Sequence, residues 1–291
     1  MGIRQFIKSI SNECWNIGFI QNSFDEILEG EKIIVRWVKH NNRNSWFADP
    51  FILDVTDDTI CVLVEEFYKP IQKGRISKLT IDKHSYSLID KVVVLELDTH
   101  LSFPAIERRE DGICIYPENG EAKGLWLYKY WPDENRIEKM EQLSAEPLAD
   151  SIRVEIGNEN WMFCTKQPDP NGNELCVYQW NKESQKYLLK DIISFNEKIA
   201  RMAGDIIEYK GKLYRPAQEC NVQYGHAIVL QEMMSEDKFS FKEVRRLYSV
   251  HPKLNVGMHT FNMFKGVIVT DALGFNNMWI RSFLKSVGLW R

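Results

Sequence analysis

One unit recurs along this chain, and its spacing restricts the fold more than any other feature. Ser45 to Phe67 reads SWFADPFILDVTDDTICVLVEEF. β-Branched and aromatic residues fill two arms, and Asp54 to Thr59 supplies turn chemistry between them, so the stretch predicts a strand, a tight turn and an antiparallel return. Comparable units begin at His100, Leu148, Arg201 and Met258. With Asp49, Phe103, Asp150, Gly204 and Thr260 as equivalent points, the intervals are 54, 47, 54 and 56 residues. A period near fifty in a sequence of strands marks a propeller, whose four-stranded blades bury their faces only against their neighbours. The expected fold is therefore all-β, a five-bladed β-propeller with blades starting near 47, 102, 150, 203 and 259.

The outer strands of the first four blades are also legible. They are GRISKLTID and SLIDKVVVLEL, GLWLYKYW and RIEKMEQL, ELCVYQW and YLLKDIISF, HAIVLQEM and KEVRRLYSV. The fifth unit has only two strands, whereas WNIGFIQ (15–21) and EKIIVRWVKH (31–40) have no partners of their own. Residues 15–40 are therefore expected to complete the last blade, which closes the ring and hides its edges. Residues 1–13 read as a short amphipathic helix. Because the repeats run through nearly all of the 291 residues, one propeller domain over 1–291 is expected.

A formal charge of −4 and a pI near 5.9 leave no electrostatic footprint for nucleic acid. No apolar run is long enough to span a membrane, and MGIRQFIKSI lacks the core and cleavage site of a signal peptide. The six cysteines (14, 61, 114, 164, 176, 220) form no C-x-x-C pair and several lie in apolar strands, so buried free thiols and a cytoplasmic location are expected. Phosphate-loop, H-E-x-x-H and G-x-S-x-G motifs are absent, and neither a metal nor a cofactor is expected.

If the first strand of each blade descends the channel and the second climbs back, the starts of the first and the ends of the second ring one mouth. The starts give Asp49, His100, Asp150, Arg201 and His259; the ends give Glu65, Glu66, Glu118, Lys166, Arg215, Gln218 and Asp271, with Trp46, Tyr116, Tyr214 and Tyr224 nearby. Carboxylates, arginines, histidines and an amide beside aromatic rings suit a hydroxyl-rich ligand. Each residue also has a plainer use. Asp49 and Asp150 suit turns into their strands, Glu118 an exposed turn, Arg201 and Arg215 ion pairs with the rim acids, and the histidines bonds to backbone carbonyls.

The motifs F-A-D-P-F (47–51) with V-E-E-F (64–67), S-F-P-A-I-E (102–107) with Y-P-E (116–118), R-M-A-G (201–204) with Y-R-P-A-Q-E-C (214–220) and Y-G (224–225), and H-T-F-N (259–262) are distributed over four blades. Together they resemble the propeller module at the N-terminus of plant glucosamine inositolphosphorylceramide transferases, from about Trp15 to Asp271. Similar bacterial modules stand alone or beside formyltransferase-like domains. In that family the sugar-transfer chemistry lies in a separate glycosyltransferase domain. A wider resemblance is to the five-bladed glycoside hydrolases of family 43. It implies a general base at Asp49, a pKa-tuning aspartate at Asp150 and an acid in the fourth blade, where Arg201 and Met202 stand instead.

Arginine cannot donate a proton near neutrality, so the resemblance carries no complete hydrolase. Two arginines suit a phosphate or a sugar carboxylate. The preferred reading is a carbohydrate-active propeller that binds or acts on an anionic or phosphate-linked glycan in surface polysaccharide or glycolipid assembly, by glycosyl transfer. Asp49, Asp150 and Glu118 are its catalytic candidates. Its binding candidates are Glu66, His100, Arg201, Arg215, Gln218, Tyr224, His259 and Asp271, for a glycan or activated-sugar ligand. The alternatives are a hydrolase that recruits its acid elsewhere, and a non-catalytic sugar-binding module serving a partner glycosyltransferase.

Overall fold

A computed structural model describes residues 13–122, 124–235 and 239–275. The helix expected over residues 1–13 lies outside this range apart from its last residue. The protein is a five-bladed β-propeller. Blade one pairs β3 (Ser45–Val55), β4 (Thr59–Tyr68), β5 (Lys73–Asp82) and β6 (Leu88–Leu95) in that order. Blade two contains β7 (Ser102–Arg109), β8 (Gly112–Glu118), β9 (Leu125–Trp131) and β10 (Arg136–Ser144). Blade three contains β11 (Leu148–Ile156), β12 (Glu159–Lys166), β13 (Glu174–Asn181) and β14 (Lys186–Ser194). Blade four contains β15 (Ile207–Tyr209), β16 (Lys212–Glu219), β17 (Ala227–Ser235) and β18 (Ser240–Leu247).

Blade five is assembled from both ends of the described chain. Its order is β19 (Phe261–Phe264), β20 (Val267–Phe275), β1 (Glu13–Ile20) and β2 (Val35–Trp37). β1 and β20 run antiparallel from Glu13 opposite Phe275 to Ile20 opposite Ile268, which is the closure by N-terminal strands expected from their missing partners. Only Val35–Trp37 of EKIIVRWVKH is a strand. Between β1 and β2 the chain forms α1 (Phe24–Leu28), opened by a capping box in which Ser23 and Glu26 satisfy each other's backbone N–H groups. Phe24 and Ile27 of α1 bury against Tyr214 and Phe261, plugging the seam between blades four and five.

The inner strands share one irregularity. Pairing shifts between Ala48 and Phe51, between Ser102 and Ala105, and between Ala149 and Ile152. At these bulges Asp49, Phe103 and Asp150 have φ of 50°, 45° and 43°. A bulge bends its strand and re-aims a side chain, so one backbone device recurs at three of the five equivalent points. In blade four the inner strand expected at 203–208 shrinks to β15, preceded by an isolated bridge of Met202 to Ala217. Ala203 donates to Pro216 O of its own blade at 3.0 Å and accepts the N–H of Phe261 from the next at 2.7 Å.

Gly204 beside it has φ of 154°, and a Cβ there would overlap the Phe261 carbonyl oxygen. Gly204→Ala is expected to lower stability by more than about 2 kcal/mol, because backbone strain and a blade-to-blade clash add. Gly211→Ala, also at positive φ but with open space around it, should cost only about 1 kcal/mol. Urea midpoints of the two variants check the difference.

Candidate functional site

The bulges direct polar side chains at the seams between blades. Asp49 accepts the Phe103 N–H at 3.0 Å and the Thr260 hydroxyl at 2.9 Å, joining blade one to blades two and five. Asp271 accepts the N–H groups of His259 and Thr260 at 2.9 and 3.2 Å and that of Asp49 at 3.2 Å. The His259 imidazole lies between the two acids, with Nδ1 at 2.6 Å from Asp271 and Nε2 at 3.5 Å from Asp49. On the other side of the axis, Glu118 accepts the Asp150 N–H at 2.9 Å and Arg201 Nη2 at 3.1 Å. Arg201 Nε and Gln218 Nε2 both donate to Asp150, and Arg201 Nη1 donates to Asn171 at 2.8 Å.

An aromatic arc borders this polar cluster. Tyr224 meets His259 edge-on at 5.3 Å, His259 stacks on Trp15 at 4.1 Å, Trp15 tilts against Trp46 at 6.4 Å, and Trp46 stacks on Phe67 at 4.8 Å. Phe67 leads to His100, whose Nε2 is 3.1 Å from Glu65. Tyr224 also lies under the Arg201 guanidinium, 5.1 Å from its ring centre. Solvent reaches the cluster through Tyr224, His100, Asn171 and Glu118, the last with 17 % of its side chain exposed.

The electrostatics follow from burial and pairing. Asp49, 3 % exposed, is pushed up to about 7 by loss of water; His259 counters this, whereas Glu65, Asp150 and Asp271 add to it. Burial works against the charge on His259, yet Asp271 and Asp49 together hold it up at about 9. Burial also raises Glu118 well above the usual carboxylate range, against the pull of Arg201 and with the help of Asp150. Burial raises Asp150 as well, but Arg201, the hydrogen bond with Glu118 and His259 together bring it below the usual carboxylate range. Two carboxyls therefore share one guanidinium, and Glu118 holds a proton more tightly than Asp150 does.

Nine of the eleven catalytic and binding candidates are brought together: Asp49, Asp150, Glu118, His100, Arg201, Gln218, Tyr224, His259 and Asp271. Two are not. Glu66 is wholly buried within blade one, where Ser45, Ser77, Arg75 and Lys91 donate to it. Arg215 is wholly buried between blades three and four, bonded to the carbonyls of Ile199 and Ala200 and to Gln231, with Phe195 and Phe241 beside it. The strand alternation that turned their neighbours toward the axis turned these two into the seams. Tyr116 and Tyr214 likewise pack in inter-blade cores. The arrangement adds Phe67 near the end of β4, together with Trp15, delivered by blade closure, and Asn171, delivered by the 167–173 hairpin.

Asp49, His259 and Asp271 offer ligand atoms within 4.8 Å of one another, a spacing that a metal ion could bridge. Their carboxylate oxygens already accept the Thr260 hydroxyl and the backbone N–H groups of Phe103, His259, Thr260 and Asp49.

The residues of this cluster coincide with the motifs spread over four blades, and residues 33–268 match the family described as glucosamine inositolphosphorylceramide transferase 1, N-terminal. The chain belongs to that family. Glucosamine inositolphosphorylceramide transferase 1 of Oryza sativa subsp. japonica is 27 % identical over 213 residues, 69 % of this chain and 28 % of the relative. The Arabidopsis thaliana protein of the same name is 27 % identical over 222 residues, 71 % of this chain and 28 % of its own length. The chain thus spans little more than a quarter of these relatives. Among solved structures, a family 43 β-xylosidase/α-arabinofuranosidase from a compost metagenome superposes with a TM-score of 0.55 at 9 % identity, over 82 % of this chain and 93 % of that one. An α-L-arabinofuranosidase from Podospora anserina gives 0.54 at 10 %, over 71 % and 70 %. At such identities the likeness is one of fold.

The buried pair sets a pH dependence. His259 and Asp49 both bind protons more tightly folded than unfolded, so their contributions fade as pH rises. That of His259 is complete below its ordinary 6.5 and lost through about 9; that of Asp49 fades between 3.8 and about 7. Between pH 6.5 and 9 the unfolding free energy is expected to fall, with His259 contributing on the order of 3 kcal/mol. Urea melts across that window check it, and His259→Gln should flatten the slope; a slope unchanged in the variant would assign it to another group.

Proposed function

We propose that the axial rim is a sugar-binding site of a propeller that serves glycan or glycolipid assembly, and that its ligand is a neutral or amine-bearing sugar. The observation that carries this reading is the pairing of every rim charge within the protein. Arg201 is shared by Asp150 and Glu118, His259 by Asp271 and Asp49, and His100 faces Glu65. With Arg215 buried in a seam, the two-arginine clamp expected for an anionic glycan has no basis at this rim. What remains toward solvent is an alternation of acceptors, donors and rings: the Glu118 carboxyl, the Asn171 amide, His100 and the face of Tyr224. Hydroxyl groups match such a surface in directional hydrogen bonds, and sugar ring faces match its aromatics. The membership of a family named for glucosamine transfer supports an assembly role, the sugar being held here while transfer chemistry resides in a partner or a further domain. Among the described residues no helix is long and apolar enough to cross a membrane. All six cysteines are free, which supports a reducing, cytoplasmic setting.

A catalytic reading rests on Glu118 alone. Asp49 is enclosed by its own hydrogen bonds and Asp150 is ion-paired, whereas Glu118 is raised well above the usual carboxylate range by burial and reaches solvent, as a general acid must. Calorimetric titration of glucose, glucosamine and glucose 1-phosphate separates the ligand classes. Glucose or glucosamine is expected to bind at least as tightly as the phosphate, and Glu118→Gln to weaken that binding about tenfold with little change in Tm. A clear preference for the phosphate, or a Glu118→Gln variant of full affinity, would overturn the reading.

A further inference from the structure

The cation that the rim lacks stands at the other end of the channel. The inner strands β3, β7 and β19 leave the rim near Asp49, Phe103 and Thr260 and arrive, four to five residues on, at Asp54, Arg108 and Phe264. At the rise of a strand that is roughly 13–17 Å away. There a cleft of 380 Å³ opens between blades one and two, within the range of small-molecule pockets, roughly 300–1,000 Å³. Leu53, Ile113, Pro132 and Phe264 form its apolar wall, and Arg108 and Lys78 supply its positive charge.

Arg108 is held in a single pose. Its Nη2 donates to the carbonyls of Ile52 at 2.6 Å and Leu53 at 3.1 Å, and its guanidinium lies 3.7 Å over the Phe264 ring. Unlike Arg201, Arg75, Arg109, Arg153 and Arg246, it makes no ion pair with a carboxylate among the described residues. Three acids lie near it and none forms an ion pair with it: Asp54 is bonded to Lys265 at 2.7 Å, Asp133 stands exposed at the outer lip, and half-buried Asp205, the acid that acts on Arg108 most, is pushed up to about 7 by loss of water. Lys78 rests its ammonium on the Pro132 carbonyl at 2.9 Å, leaving its charge unmatched beside the same wall. A guanidinium oriented by backbone carbonyls, with Nε and Nη1 unused, is prepared to take an anion in two hydrogen bonds.

We propose that this cleft is a second binding site, for a small molecule that joins a phosphate or carboxylate group to an apolar body. The anion sits on Arg108 with Lys78 nearby, and the body lies against Leu53, Ile113, Pro132 and Phe264. This site is independent of the sugar reading of the rim and stands or falls separately.

Phenyl phosphate is the probe, with inorganic phosphate and benzyl alcohol as its separate halves. Calorimetry should show saturable binding of phenyl phosphate at least tenfold tighter than either half, and a loss of tenfold or more in Arg108→Gln. Cys61 gives a readout without mutation, because it lines the cleft and is half-buried. Phenyl phosphate should slow its alkylation by iodoacetamide and leave that of Cys14 unchanged. Equal affinity for inorganic phosphate, which would mean an adventitious ion only, overturns the proposal. So does unprotected Cys61 at saturating phenyl phosphate, or Arg108→Gln with undiminished affinity.

Discussion

The propeller depends on a belt of hydrogen bonds that crosses every seam between blades at one level of the axis. Asp49 joins blade one to two through the Phe103 N–H, Glu118 joins two to three through the Asp150 N–H, and Asp150 joins three to four through Arg201 and Gln218. Ala203 and Asn262 join four to five, and Asp271, Thr260 and Asn262 return to blade one through Asp49 and Pro50. The blades are separate sheets packed face to face, so their inner strands form no common ladder, and the belt takes the place of the one a closed barrel would have. Carboxylates suit this use because one carboxylate accepts several N–H groups at once, and hydrogen bonds to charged groups contribute about 1.5–3 kcal/mol each, roughly twice the neutral value.

The same belt fixes what the rim can offer a ligand. Placing several acids around a narrow axis raises the cost of ionising all of them, and the cluster answers with His259 on one side and Arg201 on the other. Each positive group is thereby consumed by the acids around it, and no free cation faces outward at the rim. Ligand selection at the rim then falls to hydrogen-bond geometry and aromatic faces. A long-range charge preference would have to come from elsewhere on the molecule.

Much of the architecture was legible in the sequence because a propeller repeats its physics. The interval between Asp49, Phe103, Asp150, Gly204 and Thr260 located the bulges, and the orphan strand WNIGFIQ foretold the closure. Shorter-range features escaped. α1 is five residues long, too short to show a repeated helical period, and only its Ser23–Glu26 capping box could have betrayed it. The facing of Glu66 and Arg215 escaped for another reason. Side chains alternate along a strand, so an error of one position exchanges axis for seam, and register must be seen before such a residue can be assigned to either. Trp15 was invisible as a site residue until β1 was placed beside β20.

The belt also changes how the positions shared with family 43 propellers are to be understood. The resemblance seen in the sequence would make Asp49 a base and Asp150 a tuning acid, but each carries structural bonds across a seam. Any five-bladed propeller whose seams are joined in this way has reason to hold acids at those points, with or without chemistry. Their presence therefore does not distinguish an enzyme from a binding module. The distinguishing feature is a carboxyl that holds its proton more tightly than usual and reaches solvent. In this rim that feature falls on Glu118, at the end of the second strand of blade two, and not in the fourth blade, where Arg201 is a permanent cation. An activity of this propeller would have to be built outward from Glu118, with the rest of the belt as its frame.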